Sequence, residues 1–88
     1  MSEPAAVVRA RSLLKHVKHL GASPEEFFVP VTAEEGFELL RWFRGQVTEE
    51  QMNLQLLDRD IDRAKRRGNP WPMLENFRLC GLEIRRMN

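Results

Sequence analysis

Three glycines, Gly21, Gly45 and Gly68, divide this chain, and each closes a run whose apolar residues repeat at helical spacing. That punctuation most constrains the fold, because it leaves room for three amphipathic helices and only short stretches between them. The first helix is expected from about Pro4 to Leu20, opened by Ser2 or Glu3 with Pro4 in its first turn and stopped by Gly21. At about 100° per residue, Ala6, Val7, Ala10, Leu13, Leu14, Val17 and Leu20 share one arc. Arg9, Arg11, Lys15, His16, Lys18 and His19 fall outside it.

The second helix opens on Thr32-Ala33-Glu34-Glu35. This is a capping box, in which a hydroxyl and a carboxylate each satisfy a backbone N–H at the helix start. The helix should run from Ala33 to Arg44 and stop at Gly45, with Gly36, Phe37, Leu39, Leu40 and Phe43 inward and Trp42 just beyond that face. The third opens at Thr48-Glu49-Glu50-Gln51, stapled by Val47 and Met52, and ends at Gly68-Asn69-Pro70. Its acids lie early and its bases late, as the helix dipole favours. Leu54, Leu57, Ile61 and Ala64 point to the core, whereas Met52 and Leu56 align with Arg59, Arg63 and Arg66 on nearly the opposite side.

Between the first two helices, Ser23-Pro24-Glu25-Glu26 reads as a single turn. Phe27 to Val31 then reads as a short extended piece, confined to a sheet edge because Pro30 has no N–H to donate. The segment from Pro72 to Ile84 carries two patterns. Met73, Leu74, Phe77 and Cys80 share a helical face, while Phe77–Cys80 and Leu82–Ile84 alternate as strand with Gly81 as a bulge. The strand is favoured, since it gives Phe27–Val31 a partner. The fold class is therefore α+β, mainly helical: three amphipathic helices with a short extended pair, or a fourth short C-terminal helix in its place.

With 88 residues the chain has the size of a single domain, 1–88, with one modest core. An apolar fraction of 42% with 31% charged residues excludes a disordered chain. A single cysteine, Cys80, excludes a disulfide-stapled secreted fold and points to a cytoplasmic location. The start, Met-Ser-Glu-Pro, lacks a signal-peptide pattern, and no apolar run reaches the roughly 18 residues of a membrane span.

No residue pattern carries catalysis, so a non-enzymatic protein with no catalytic residue, cofactor, metal or small-molecule substrate is expected. Cys80 with His16 or His19 is the sole Cys/His combination, and Cys80 lies in an apolar stretch typical of a buried thiol. His16 and His19 share a helix side but lack the third and fourth ligands of a zinc site. Glu25-Glu26, Glu34-Glu35 and Glu49-Glu50 stand in first turns, where capping explains them. Asp58, Asp60 and Asp62 alternate as in a calcium loop but lack its central Gly and closing Glu, and Asp62 suits an i,i+4 pair with Arg66 in mid-helix.

Two surfaces remain. One combines Trp42, Met52, Leu56, Arg59, Arg63, Arg66 and Trp71, in residue types enriched at interfaces. It predicts a small protein-binding adaptor or regulatory accessory protein whose partner is another protein or a second copy of itself. Trp71 carries an opposing expectation: in the proline-bounded Asn69-Pro70-Trp71-Pro72 it is more simply a lid on the core. The alternative surface is Arg9, Arg11, Lys15 and Lys18, with no acid between Pro4 and Pro24, a pattern suited to nucleic-acid phosphates. Its apolar arc is needed for the core and has no aromatic anchor, which argues against a membrane surface. A helix-turn-helix is disfavoured, because Glu49 and Glu50 would meet DNA phosphates at the head of the recognition helix. No motif identifies a family; only size and composition are those of short bacterial or phage accessory proteins.

Overall fold

In the computed structural model, residues 3–46 and 57–87 are described. Among these described residues four helices, α1 (Ala5–His19), α2 (Ala33–Gln46), α3 (Asp58–Arg67) and α4 (Trp71–Leu74), accompany three strands, β1 (Phe28–Val31), β2 (Arg78–Leu79) and β3 (Leu82–Arg86). The class is mainly helical α+β. The C-terminal segment resolves its two patterns by using both: Trp71–Leu74 is a short helix, and the residues after it form a hairpin.

α1 begins one residue after Pro4, whose carbonyl accepts from the Val7 N–H at 3.0 Å. It ends as its glycine requires. Gly21 takes a φ of 70°, its N–H donates to the Lys18 carbonyl, and the Ala22 N–H donates to the Val17 carbonyl. Ala6, Val7, Ala10 and Val17 are buried and Leu13 and Leu14 half-buried, so the apolar arc faces inward as its spacing predicts, except for Leu20 at the helix end, which is exposed. A 3-10 turn at Pro24–Glu26 leads into β1.

β1 lies at one edge of the sheet, whose order is β1-β3-β2. It runs parallel to β3 in the register Phe28↔Glu83 to Val31↔Arg86, and β2 pairs antiparallel with β3 through Leu79↔Leu82. Gly81 is not a bulge. It forms a two-residue hairpin loop with Cys80, at φ of 80° and 54°, the positive values that a type I′ turn needs at both central positions. Alternation then sorts the side chains. Val29, Val31, Leu79, Leu82 and Ile84 enter the core with Leu39, Leu40, Ile61 and Leu74, while Phe28, Pro30, Arg78, Glu83 and Arg85 lie on the outer face.

The capping box of α2 forms as expected: the Glu35 N–H donates to Thr32 Oγ1 at 3.1 Å and the Thr32 N–H to Glu35 Oε1 at 3.0 Å. The same carboxylate receives the Arg9 guanidinium from α1 through both oxygens, at 3.3 and 2.8 Å. Arg9 also donates to the Pro30 carbonyl of β1 at 2.7 Å. One carboxylate thus joins α1, β1 and α2. Pro30 lacks an N–H and its carbonyl is occupied, which blunts the outer edge of the sheet against further strand pairing. Contrary to expectation, Gly45 does not end α2, which continues through it to Gln46.

The third helix departs most from its expected form. Leu57 is extended at φ −80° and ψ 146°, and α3 starts only at Asp58. Asp58 and Asp60 therefore occupy its first turn rather than mid-helix, where their charges favour the dipole. The expected start at Thr48, the Val47–Met52 staple and Leu54 lie outside the described residues. α3 is held by one fully buried side chain, Ile61, with Leu57 and Ala64 half-buried. Its end at Gly68 is as expected, with φ 66° and an Asn69 N–H donating to the Ala64 carbonyl.

α4 packs against α2 where a side chain is missing. A Cβ on Gly36 would lie 2.9 Å from Leu74 Cδ1 and 2.9 Å from Pro70 Cγ, inside contact distance. The Phe43 ring stacks on Phe77 at 4.7 Å between centroids and meets Trp42 edge-on at 5.4 Å. Trp71 rests against the core as a lid and carries the Arg86 guanidinium 5.0 Å above its ring.

Two predictions follow from this packing. Gly36→Ala should destabilise the protein by about 1–3 kcal/mol in a denaturant titration, because Leu74 and the stiff Pro70 ring must both move. The Arg9 hydrogen bond, partly offset by burial and aided by Thr32, lowers the Glu35 pKa from its ordinary value of 4.5. A lowered folded pKa contributes stability that is full at neutral pH and is lost as pH falls below 4.5 through the folded value. Glu35→Gln should therefore cost about 1–3 kcal/mol at pH 7 and flatten the acid limb of the stability curve relative to wild type.

Candidate functional site

Among the described residues no polar or charged residue is buried, and no group of three or more metal-ligating side chains comes together. Cys80 is half-buried against the core at the hairpin turn. The polar groups that could serve a partner are therefore all on the surface, and their charge pairing decides which surface is available.

The basic face of α1 is not unmixed once folded. Acids reach it from outside the helix: Glu35 takes Arg9, and Glu3 forms an ion pair with Arg11. Arg9 is thus a structural tie. Lys15 and Lys18 remain exposed in the C-terminal half, beside exposed His16 and His19, and there they also complement the dipole at the helix end.

On α3 the opposite occurs, because its acids are drawn away from its bases. Arg41 and Arg44 of α2 pair with Asp62 at 2.9 Å and Asp58 at 2.8 Å. Asp62 therefore serves the packing of α3 on α2 rather than the expected i,i+4 pair with Arg66. At about 100° per residue, with Ile61 fixing the inward direction, Arg59, Arg63, Arg66 and Arg67 fall within an arc of about 100° on the outward side. All four are exposed, and the arc contains no acid; Asp60 flanks it beyond Arg67. From Arg59 to Arg67 the stripe covers nine residues, about 12 Å of helix.

Beside this stripe a notch of about 210 Å³ lies between α3 and the start of α4, lined by Asp60, Arg63, Ala64, Arg67, Asn69, Pro72 and Met73. Its walls are apolar at Ala64, Pro72 and Met73, and charged at the rim. Asn69 is held in place because its Oδ1 accepts from the Trp71 N–H at 3.3 Å, and the buried Pro70 ring follows it.

The predicted protein-binding set is thus divided. Arg59, Arg63 and Arg66 share one exposed face. Trp71 is next to it in the chain, but its ring lies between the core and Arg86 and lines a different, open groove of about 580 Å³ toward β3. Trp42 is half-buried against the core and lines a hollow of about 420 Å³ with Pro4, Ala5, Glu38 and Arg41. Met52 and Leu56 lie outside the described residues.

Arg67 and the notch residues were not expected from sequence. Arg67 follows Arg63 by four positions, so helical phase contained that signal, but Arg67 lies off the line that joins Met52 and Leu56 to Arg59 and Arg63. The notch had no sequence signal, since it is formed by two elements meeting across the Gly68 turn. On the outer sheet face, Arg85 lies 4.7 Å over the exposed Phe28 ring and hydrogen-bonds Glu83, and that bond lowers the Glu83 pKa. No protein-family model, curated protein or solved structure matches the chain.

Proposed function

We propose that this is a small non-enzymatic binding protein, a cytoplasmic adaptor or regulatory accessory, that engages a protein partner through the outward face of α3. The supporting observation is the arginine stripe of Arg59, Arg63, Arg66 and Arg67, from which the neighbouring acids Asp58 and Asp62 are turned away by Arg44 and Arg41. A solvated helix that needs only solubility gains nothing from segregating one sign of charge. Segregation exposes donors in a fixed, planar form that matches carboxylates, and arginine is a frequent interface hot spot. Met73 and Pro72 border the stripe from α4 and supply apolar surface at its margin, while Trp71 keeps only its sequence-based place in the proposed interface. Met52 and Leu56 retain their sequence-based place in the proposed interface.

The test compares wild type with Arg59→Glu/Arg63→Glu/Arg66→Glu. All three positions are exposed, so the melting temperature should be nearly unchanged. Affinity capture from the native host and solution mass by light scattering together cover a foreign partner and a second copy of the chain. The variant is expected to lose the captured protein or the oligomer. Unchanged capture together with unchanged mass rejects this face.

A second reading has its own observation: Lys15 and Lys18 remain exposed, with no ion-pair partner among the described residues. On that reading the C-terminal half of α1 binds nucleic-acid phosphates. Lys15→Glu/Lys18→Glu should abolish a mobility shift with generic DNA or RNA that itself weakens steeply as salt rises. A shift unaffected by the double reversal rejects this surface.

A further inference from the structure

We infer that the notch between α3 and α4 is an anchor site, and that the partner is an acidic peptide segment bearing one apolar side chain. This rests on the reading of α3 as the binding face and adds the chemistry of what binds there. Exposed arginines alone give little affinity, because surface ion pairs are screened and hold long side chains at an entropic cost. Interfaces gain most of their affinity from a side chain that fills a desolvated pocket, with charges arranged around it. The notch supplies such a place. Its volume of about 210 Å³ is below the roughly 300–1,000 Å³ of small-molecule sites, so it suits a single side chain better than a metabolite.

The rim fixes the rest of the ligand. Arg63 and Arg67 border the notch on the stripe side, and Arg59 and Arg66 extend the positive surface along the helix. The stripe's length of about 12 Å corresponds to two turns of a bound helix or about four residues of an extended strand. Carboxylates one to four positions from the anchor therefore reach the guanidinium groups and can accept two N–H donors each. Asp60 shares the α3 wall with Arg63 and Arg67, one turn before Arg63, and repels acids at that end of the notch, which gives the segment a direction: acids toward Arg63 and Arg67, a neutral or basic residue toward Asp60. A nucleic-acid backbone could pair with the arginines, but it has no apolar group for Ala64, Pro72 and Met73. The notch is what favours a peptide.

The test is a selection from a random-peptide display library against the intact protein. The enriched sequences are then synthesised and their affinities measured by fluorescence anisotropy. Enriched peptides are expected to carry one Leu, Ile, Met or Phe with two or more acids on one side. Arg63→Glu/Arg67→Glu, on exposed positions, should weaken binding by at least about tenfold. Replacing the peptide's apolar residue with Ser should do the same, and this change leaves the protein's folding untouched. Failure to enrich any peptide, or enrichment of peptides without acids or without an apolar anchor, overturns the inference. If such peptides nevertheless lose affinity with Arg63→Glu/Arg67→Glu, α3 still stands as the binding face; if they do not, that reading falls too. A duplex DNA or RNA oligomer that binds more tightly than every selected peptide, and loses binding in the same variant, also overturns it in favour of a phosphate-backbone partner.

Discussion

The carboxylate of Glu35 is the interaction on which the arrangement of this protein depends. It closes the capping box of α2 with Thr32 and grips Arg9 of α1 through both oxygens, while Arg9 in turn holds the Pro30 carbonyl of β1. Each bond taken alone is modest. Together they fix three elements that share few other polar contacts, at a place where the Glu35 side chain is only 18% exposed and water competes weakly. The ion pair ties the start of α2 to α1, and the Arg9 bond to Pro30 ties α1 to the outer edge of β1.

Surface charge in this fold is settled by which charges the packing consumes. α1 enters folding as the most basic segment and loses Arg9 and Arg11 to Glu35 and Glu3. α3 has mixed charge but a one-signed outer face, because helical phase about the buried Ile61 sets Asp58 and Asp62 to the side, where Arg44 and Arg41 of α2 pair with them. These exposed pairs, on the order of 0–1 kcal/mol each, contribute little stability. They join α2 to the flank of α3, while the buried Ile61 sets the rotation that points its arginines away from the body.

Local stereochemistry was legible in the residues. The Thr32–Glu35 box, the glycine ends at Gly21 and Gly68, and the edge position of the strand holding Pro30 each depend on bonds within a few residues or on the absence of one N–H. Gly45 shows the limit of the same logic. A glycine permits a helix to stop but does not compel it, and α2 continues to Gln46. The ambiguous C-terminal segment had the same origin: Met73, Leu74, Phe77 and Cys80 satisfy a helical period, yet Cys80-Gly81 can turn the chain, and pairing with β1 decided for strand.

The sequence by itself determined where α1, α2 and the end of α3 lie, and which of their residues are apolar enough to be buried. Only the tertiary structure decided which charges remain available. Pairings such as Arg9 with Glu35, Arg41 with Asp62 and Arg44 with Asp58 link residues far apart in the chain, and no periodicity encodes them. The candidate site shares that origin: Arg59, Arg63 and Arg66 were visible as helix positions, while the notch beside them exists only because the chain turns at Gly68 and brings Pro72 and Met73 against Ala64.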